Sequence, residues 1–130
     1  MKPRLLAFSA VALAACAGGS MYDQPYGLIE PHQVSATEDL RPAMILKIDG
    51  TSRPVNRNDP VPPGQHTVEV SIPGPPGMSD PGRDTLTIDV KPCTRYLLGA
   101  TRSSRTARDW QAGITSTEPI GKCQKKFGAK

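Results

Sequence analysis

Gln65-His66-Thr67-Val68-Glu69-Val70-Ser71-Ile72 is the stretch that decides the fold. Val68, Val70 and Ile72 fall on one face at a period of two, with His66 in phase. Thr67, Glu69 and Ser71 fall on the other face. Unbroken alternation of this kind marks a half-buried antiparallel strand. Residues 84–90 repeat it, with Leu86, Ile88 and Val90 against Thr85, Thr87 and Asp89. Between the two runs, residues 73–83 are rich in proline and glycine and have no periodicity, so a long exposed hairpin loop is expected.

Working outward, Ala43-Met44-Ile45-Leu46-Lys47-Ile48 reads as a strand with Met44, Leu46 and Ile48 on one face. Asp49-Gly50 is a hairpin turn signal, and residues 51–55 supply a short return strand that Pro54 weakens. Residues 94–101 place Tyr96, Leu98 and Ala100 on one face. An arginine-bearing loop follows at 102–109, then a last strand at 110–120 with Trp110, Ala112 and Ile114 in alternation. Residues 121–130 read as a basic tail with Lys122, Lys125, Lys126 and Lys130, and no helix is expected after Cys16. About seven short strands separated by Gly/Pro turns predict an all-β fold, an antiparallel sandwich. Proline and glycine number 14 and 12 in 130 residues, below the roughly 25–30% that marks disordered chains.

The start of the chain has a different composition. Lys2 and Arg4 precede residues 5–15, which are apolar apart from Ser9. That is a basic n-region and an h-region, too short for a membrane span of ~20 residues. Leu13-Ala14-Ala15-Cys16 then resembles a bacterial lipobox, where signal peptidase II cuts and the cysteine is acylated. The resemblance implies a lipoprotein: signal peptide 1–15, formed as a helix, then a membrane anchor through acyl chains on Cys16. Two or more chains suffice for stable anchoring. Ala17, where an aspartate would retain the protein at the inner membrane, implies the outer membrane and its periplasmic face.

Behind Cys16, Ala17-Gly18-Gly19-Ser20 is a flexible linker. The lead-in segment that follows holds Leu28 and Ile29 as its strong apolar pair, and reads either as an edge strand or as a spacer. The organisation expected is signal peptide 1–15, lipidated cysteine and tether 16–40, β-sandwich 41–123 and basic tail 124–130.

With Cys16 acylated, Cys93 and Cys123 remain, and an even remainder in an oxidising compartment reads as one disulfide. Charge is distributed unevenly. Residues 16–90 carry 5 basic and 10 acidic side chains, and residues 91–130 carry 9 and 2. Either an acidic partner meets the C-terminal part, or the two parts pair within one fold.

The run from Ile45 to Val90 resembles the PEGA-type domains of bacterial surface proteins. It shares a strand, an Asp49-Gly50 turn, a proline-rich connection and Pro63-Gly64-Gln65-His66-Thr67-Val68-Glu69-Val70, without the naming tetrapeptide. It is also similar to transthyretin-like sandwiches. These resemblances imply a small immunoglobulin-like or transthyretin-like domain with a binding or structural role.

No residue pattern points to catalysis. His32 and His66 lack a nearby thiol or second imidazole in sequence, and neither a Gly-x-Ser-x-Gly elbow nor a Ser-x-x-Lys motif occurs. Gly74, Gly77 and Gly82 lack the lysine and helix of a phosphate cradle. No cofactor, metal or nucleic acid is expected. The candidate binding feature is Arg102, Arg105 and Arg108 with Trp110, since arginine forks suit phosphates and carboxylates. The expected function is a non-catalytic accessory with an envelope protein partner. The alternative is a lipid-, lipopolysaccharide- or glycan-binding module using the basic C-terminal part.

Overall fold

The computed structural model describes residues 21–33, 40–52, 59–74, 77, 81–103 and 109–128. Cys16 and the helix expected for the signal peptide lie outside them, as do Arg105 and Arg108. Among the described residues there are eight strands in two four-stranded sheets. They are β1 (Leu28–Pro31), β2 (Leu40–Pro42), β3 (Met44–Ile48), β4 (Thr51–Ser52), β5 (Gly64–Ile72), β6 (Gly82–Val90), β7 (Thr94–Thr101) and β8 (Gln111–Pro119).

The deciding stretch is β5, and its alternation is realised. His66, Val68, Val70 and Ile72 are buried while Gln65 and Thr67 are exposed. β5 pairs with β6 through nine residues, from Gly64 opposite Val90 to Ile72 opposite Gly82. This sheet runs β4-β3-β5-β6 and is antiparallel throughout. In the second sheet β7 is central. β8 lies antiparallel on one side. On the other side β1 lies parallel to the first half of β7 and β2 antiparallel to the second half. The lead-in segment therefore contributes an edge strand, and the all-antiparallel expectation is corrected at this pair. β1 and β7 start at the same end, tied by Cys93 N–H donating to the Tyr26 carbonyl at 2.7 Å.

Between the sheets lies an aliphatic core. Val68, Val70, Ile72, Ile88 and Val90 face Ile29, Tyr96, Leu98 and Ala100, with Ala43 where the chain crosses from one sheet to the other. Tyr96 satisfies its hydroxyl inside the fold, donating to Asp89 O at 3.1 Å and accepting from Lys91 N at 2.9 Å.

Three sequence expectations are corrected. Register shifts between Ile45 and Lys47, so Leu46 is the extra residue of a bulge and Ile45, opposite Val70, turns to the core. A second shift sets Leu97 opposite Ser116 and Leu98 opposite Ile114, leaving Thr115 as the extra residue. Before that shift Ala112 packs against the core, while Ile114, opposite Leu98 on the edge strand β8, is 46% exposed. Lastly, residues expected as a tail form the helix α1 (Gly121–Phe127). It closes on Gly128 at φ 63°, whose N–H reaches the Gln124 carbonyl at 2.8 Å.

Helix α1 is packed rather than free. Cys123 and Phe127, one turn apart, face a second small core of Tyr26, Leu28, Cys93 and Ile120. The Cys93–Cys123 disulfide lies within it, with a Cα–Cα distance of 5.3 Å. Ile120 N–H donates to the Cys93 carbonyl at 2.9 Å. Among the described residues no helix is long and apolar enough to cross a membrane.

Candidate functional site

The strands give the domain two ends with different chemistry. At the disulfide end sit Gly64, Val90, Thr94 and Pro119, joined by the pairings Gly64–Val90 and Thr94–Pro119. At the opposite end, Ile72 pairs with Gly82 and Thr101 with Gln111. The two long loops, 73–81 and 102–110, therefore leave the sandwich from one end. The Asp84 carboxylate holds the starts of β6 and β8 together by accepting Ala112 N–H at 3.0 Å. Eight to nine residues of strand put about 25 Å between the two ends.

At the loop end, the Arg102 guanidinium stacks over the Trp110 ring at 5.0 Å. Trp110 packs partly against the main core. The indole thus closes the end of the core, and the arginine covers the indole, a favourable arrangement for a planar cation. Two of the four residues singled out in this loop are brought together, and Arg105 and Arg108 lie outside the described residues. The lysines of α1 are not part of this end, so the basic C-terminal part is divided between the two ends.

Some of that basic charge pairs with the acidic part of the chain. Arg95 Nε lies 3.4 Å from Glu30, and Lys126 Nζ lies 3.3 Å from Asp23. Lys126 also donates to the Tyr22 carbonyl at 2.8 Å, which fastens a 3₁₀ turn at Met21–Asp23 to α1.

Both histidines are held. His66 is buried, with Nδ1 2.6 Å from Asp49 Oδ2 and Nε2 2.6 Å from the Pro62 carbonyl. Neither nitrogen is left open to a metal or a substrate. Asp49 also accepts Thr67 N–H at 2.9 Å, so this cluster fixes the Asp49-Gly50 turn against β5. His32 Nδ1 is bonded to the Thr115 hydroxyl, which donates onward to the Leu97 carbonyl at 3.1 Å.

Sequence reasoning missed one feature. On the outer face of the β1-β7-β8 sheet, Glu30, His32, Gln33, Arg95, Leu97, Ser116 and Glu118 line an open cleft of about 290 Å³. Arg95 sits between two carboxylates, with Nη1 donating to Glu118 at 3.4 Å and Nε buried without a hydrogen-bond partner. Its charge is compensated from both sides, so the cleft offers little to an anion. Glu118 meets Arg95 across the β7–β8 hairpin, and Glu30 joins them only through the parallel β1–β7 pairing, which no local pattern announces.

No family model, curated protein or solved structure matches the chain. Among the described residues, no cluster of three or more histidine, cysteine, aspartate or glutamate side chains is arranged to hold a metal.

Proposed function

We propose that this chain is a bacterial envelope lipoprotein, acylated on Cys16, whose sandwich is a non-catalytic accessory that binds an envelope protein with its loop end. The carrying observation is the separation of the two ends. The turn Met21–Asp23 is fastened to α1 at the disulfide end, while β5, β6, β7 and β8 reach their opposite end about 25 Å away. A tether from Cys16 therefore enters at one end and leaves the other free to face outward. The buried disulfide supports the compartment, since such bonds persist in oxidising spaces such as the periplasm. It also leaves Cys16 as the remaining cysteine for acylation.

Within the all-β sandwich, the finer assignment we favour is immunoglobulin-like or transthyretin-like, with the PEGA-type resemblance carried by β3, β5 and β6. The binding role rests on Arg102 and the neighbouring arginines of its loop. Arg102 Cζ lies 5.0 Å from the centre of the Trp110 ring, which places a guanidinium at this end, and such groups suit carboxylates. The test is in-cell photo-cross-linking from position 103, beside Arg102. One dominant envelope protein, lost when Arg102, Arg105 and Arg108 become serine, supports the proposal. Capture of lipid or glycan alone would favour the alternative module. Capture no greater than from position 47 on the sheet face would count against both.

A further inference from the structure

We propose that the disulfide end is a membrane-facing surface that seats on anionic lipid headgroups through Lys122 and Lys125 of α1. This rests on Cys16 being the lipid anchor.

Four observations lead there. The first is reach. Four residues separate Cys16 from Met21, and over those five steps a chain spans at most ~3.6 Å each, so the anchor holds Met21 within about 18 Å of Cys16. Lys126 in turn bonds the Tyr22 carbonyl and Asp23, so α1 travels with that turn. α1 is therefore within reach of the headgroups of the membrane that holds Cys16.

The second is charge. α1 carries three lysines in seven residues and no acid. Cys123 and Phe127 occupy its inner face, and Lys122, Lys125 and Lys126 are exposed on the other. Lys91, on the turn that leads into Cys93, is exposed as well. The flanking acids Asp23 and Glu118 are ion-paired, to Lys126 and Arg95.

The third is position within the helix. Lys125 and Lys126 lie in the last turn, where cations complement the helix dipole. Lys122 is the second residue of α1, where a cation opposes it. Helix stability gives no reason for a lysine there, and an anionic surface does.

The fourth is composition. Met21 and Tyr22, at 36% and 45% exposure, stand beside this basic face. Tyrosine is enriched where apolar and polar phases meet, its ring in one and its hydroxyl in the other. Acyl chains and a small basic patch are complementary anchors, one supplying insertion and the other orientation. Seated this way, the domain points the end where Ile72 pairs with Gly82 and Thr101 with Gln111 away from the membrane.

Chemistry already in the chain makes the test direct. With Cys93 and Cys123 joined, Cys16 is the free thiol. The chain from residue 16 is coupled through it to a maleimide lipid in vesicles of phosphatidylcholine, with or without phosphatidylglycerol. Lysines are then labelled with a water-soluble amine reagent and quantified by mass spectrometry. Labelling of Lys122 and Lys125 is expected to fall about tenfold on the anionic vesicles and to recover in high salt. Lys47, on the face of the other sheet, is expected to label equally on both. Equal labelling of Lys122 and Lys125 on the two vesicles would overturn the proposal. Native acylation is read separately, from the mass of the protein made in cells. An unmodified Cys16 there would refute the anchor without altering the labelling ratio.

Discussion

A methyl group on Gly27 would sit 2.3 Å from Val90 Cγ1 and 3.1 Å from the Thr94 carbonyl oxygen. Gly27 also exchanges two backbone hydrogen bonds with Val61, at 2.8 and 2.9 Å, so it cannot retreat without breaking them. Gly27→Ala is therefore expected to destabilise the fold by roughly 1–3 kcal/mol in urea unfolding. Gly113→Ala, where nothing lies within 4 Å, is the matched control and is expected to change stability by less than about 1 kcal/mol. His66 shows how far a single residue can be read in advance. Its phase with Val68 and Val70 predicts an inward imidazole, and it is buried at 8% exposure. Its partners, Asp49 and the Pro62 carbonyl, come from separate loops and depend on the fold.

Elements whose pattern is unbroken and whose ladder is regular, β5 and β6, were legible from sequence alone. β3 was misread in one respect, because a bulge leaves no trace in hydrophobic alternation. Met44, Leu46 and Ile48 alternate perfectly, yet Ile45 and Ile48 face the core. Ile45→Ala is expected to cost roughly 2 kcal/mol and Leu46→Ala less than half of that, by the same unfolding assay. α1 escaped notice because seven residues are too few for a period of 3.6 to declare itself. Its signal was Gly128, a left-handed cap one residue past Phe127. That helix is held through Cys123. Replacing Cys93 and Cys123 together by serine is expected to cost about 3–4 kcal/mol for a closed loop of 30 residues. Hydrogen exchange should show α1 and β1 losing protection before β5 and β6. Uniform loss across both sheets would mean that the disulfide end is not a separate cooperative unit.

At the scale of the whole molecule, the strands set one polarity: a lysine-bearing end that holds the disulfide, and an opposite end where Ile72 pairs with Gly82 and Thr101 with Gln111. Along the sequence the arginines and lysines are neighbours and read as one basic part. The β7–β8 hairpin sets Arg102 and α1 at opposite ends of the strand pair, a separation only the register reveals. The cleft around Arg95 was illegible for the same reason, since its residues converge from β1, β7 and β8. The proposed anchor on Cys16 would give this polarity its meaning, and the decisive measurement is the intact mass of the protein extracted from bacterial membranes, beside a Cys16→Ser variant. The expected product is a chain that begins at Cys16 and carries diacylglycerol and an amide-linked acyl chain, with the variant released from the membrane. A chain cut elsewhere, or one keeping a free thiol at Cys16, would contradict it.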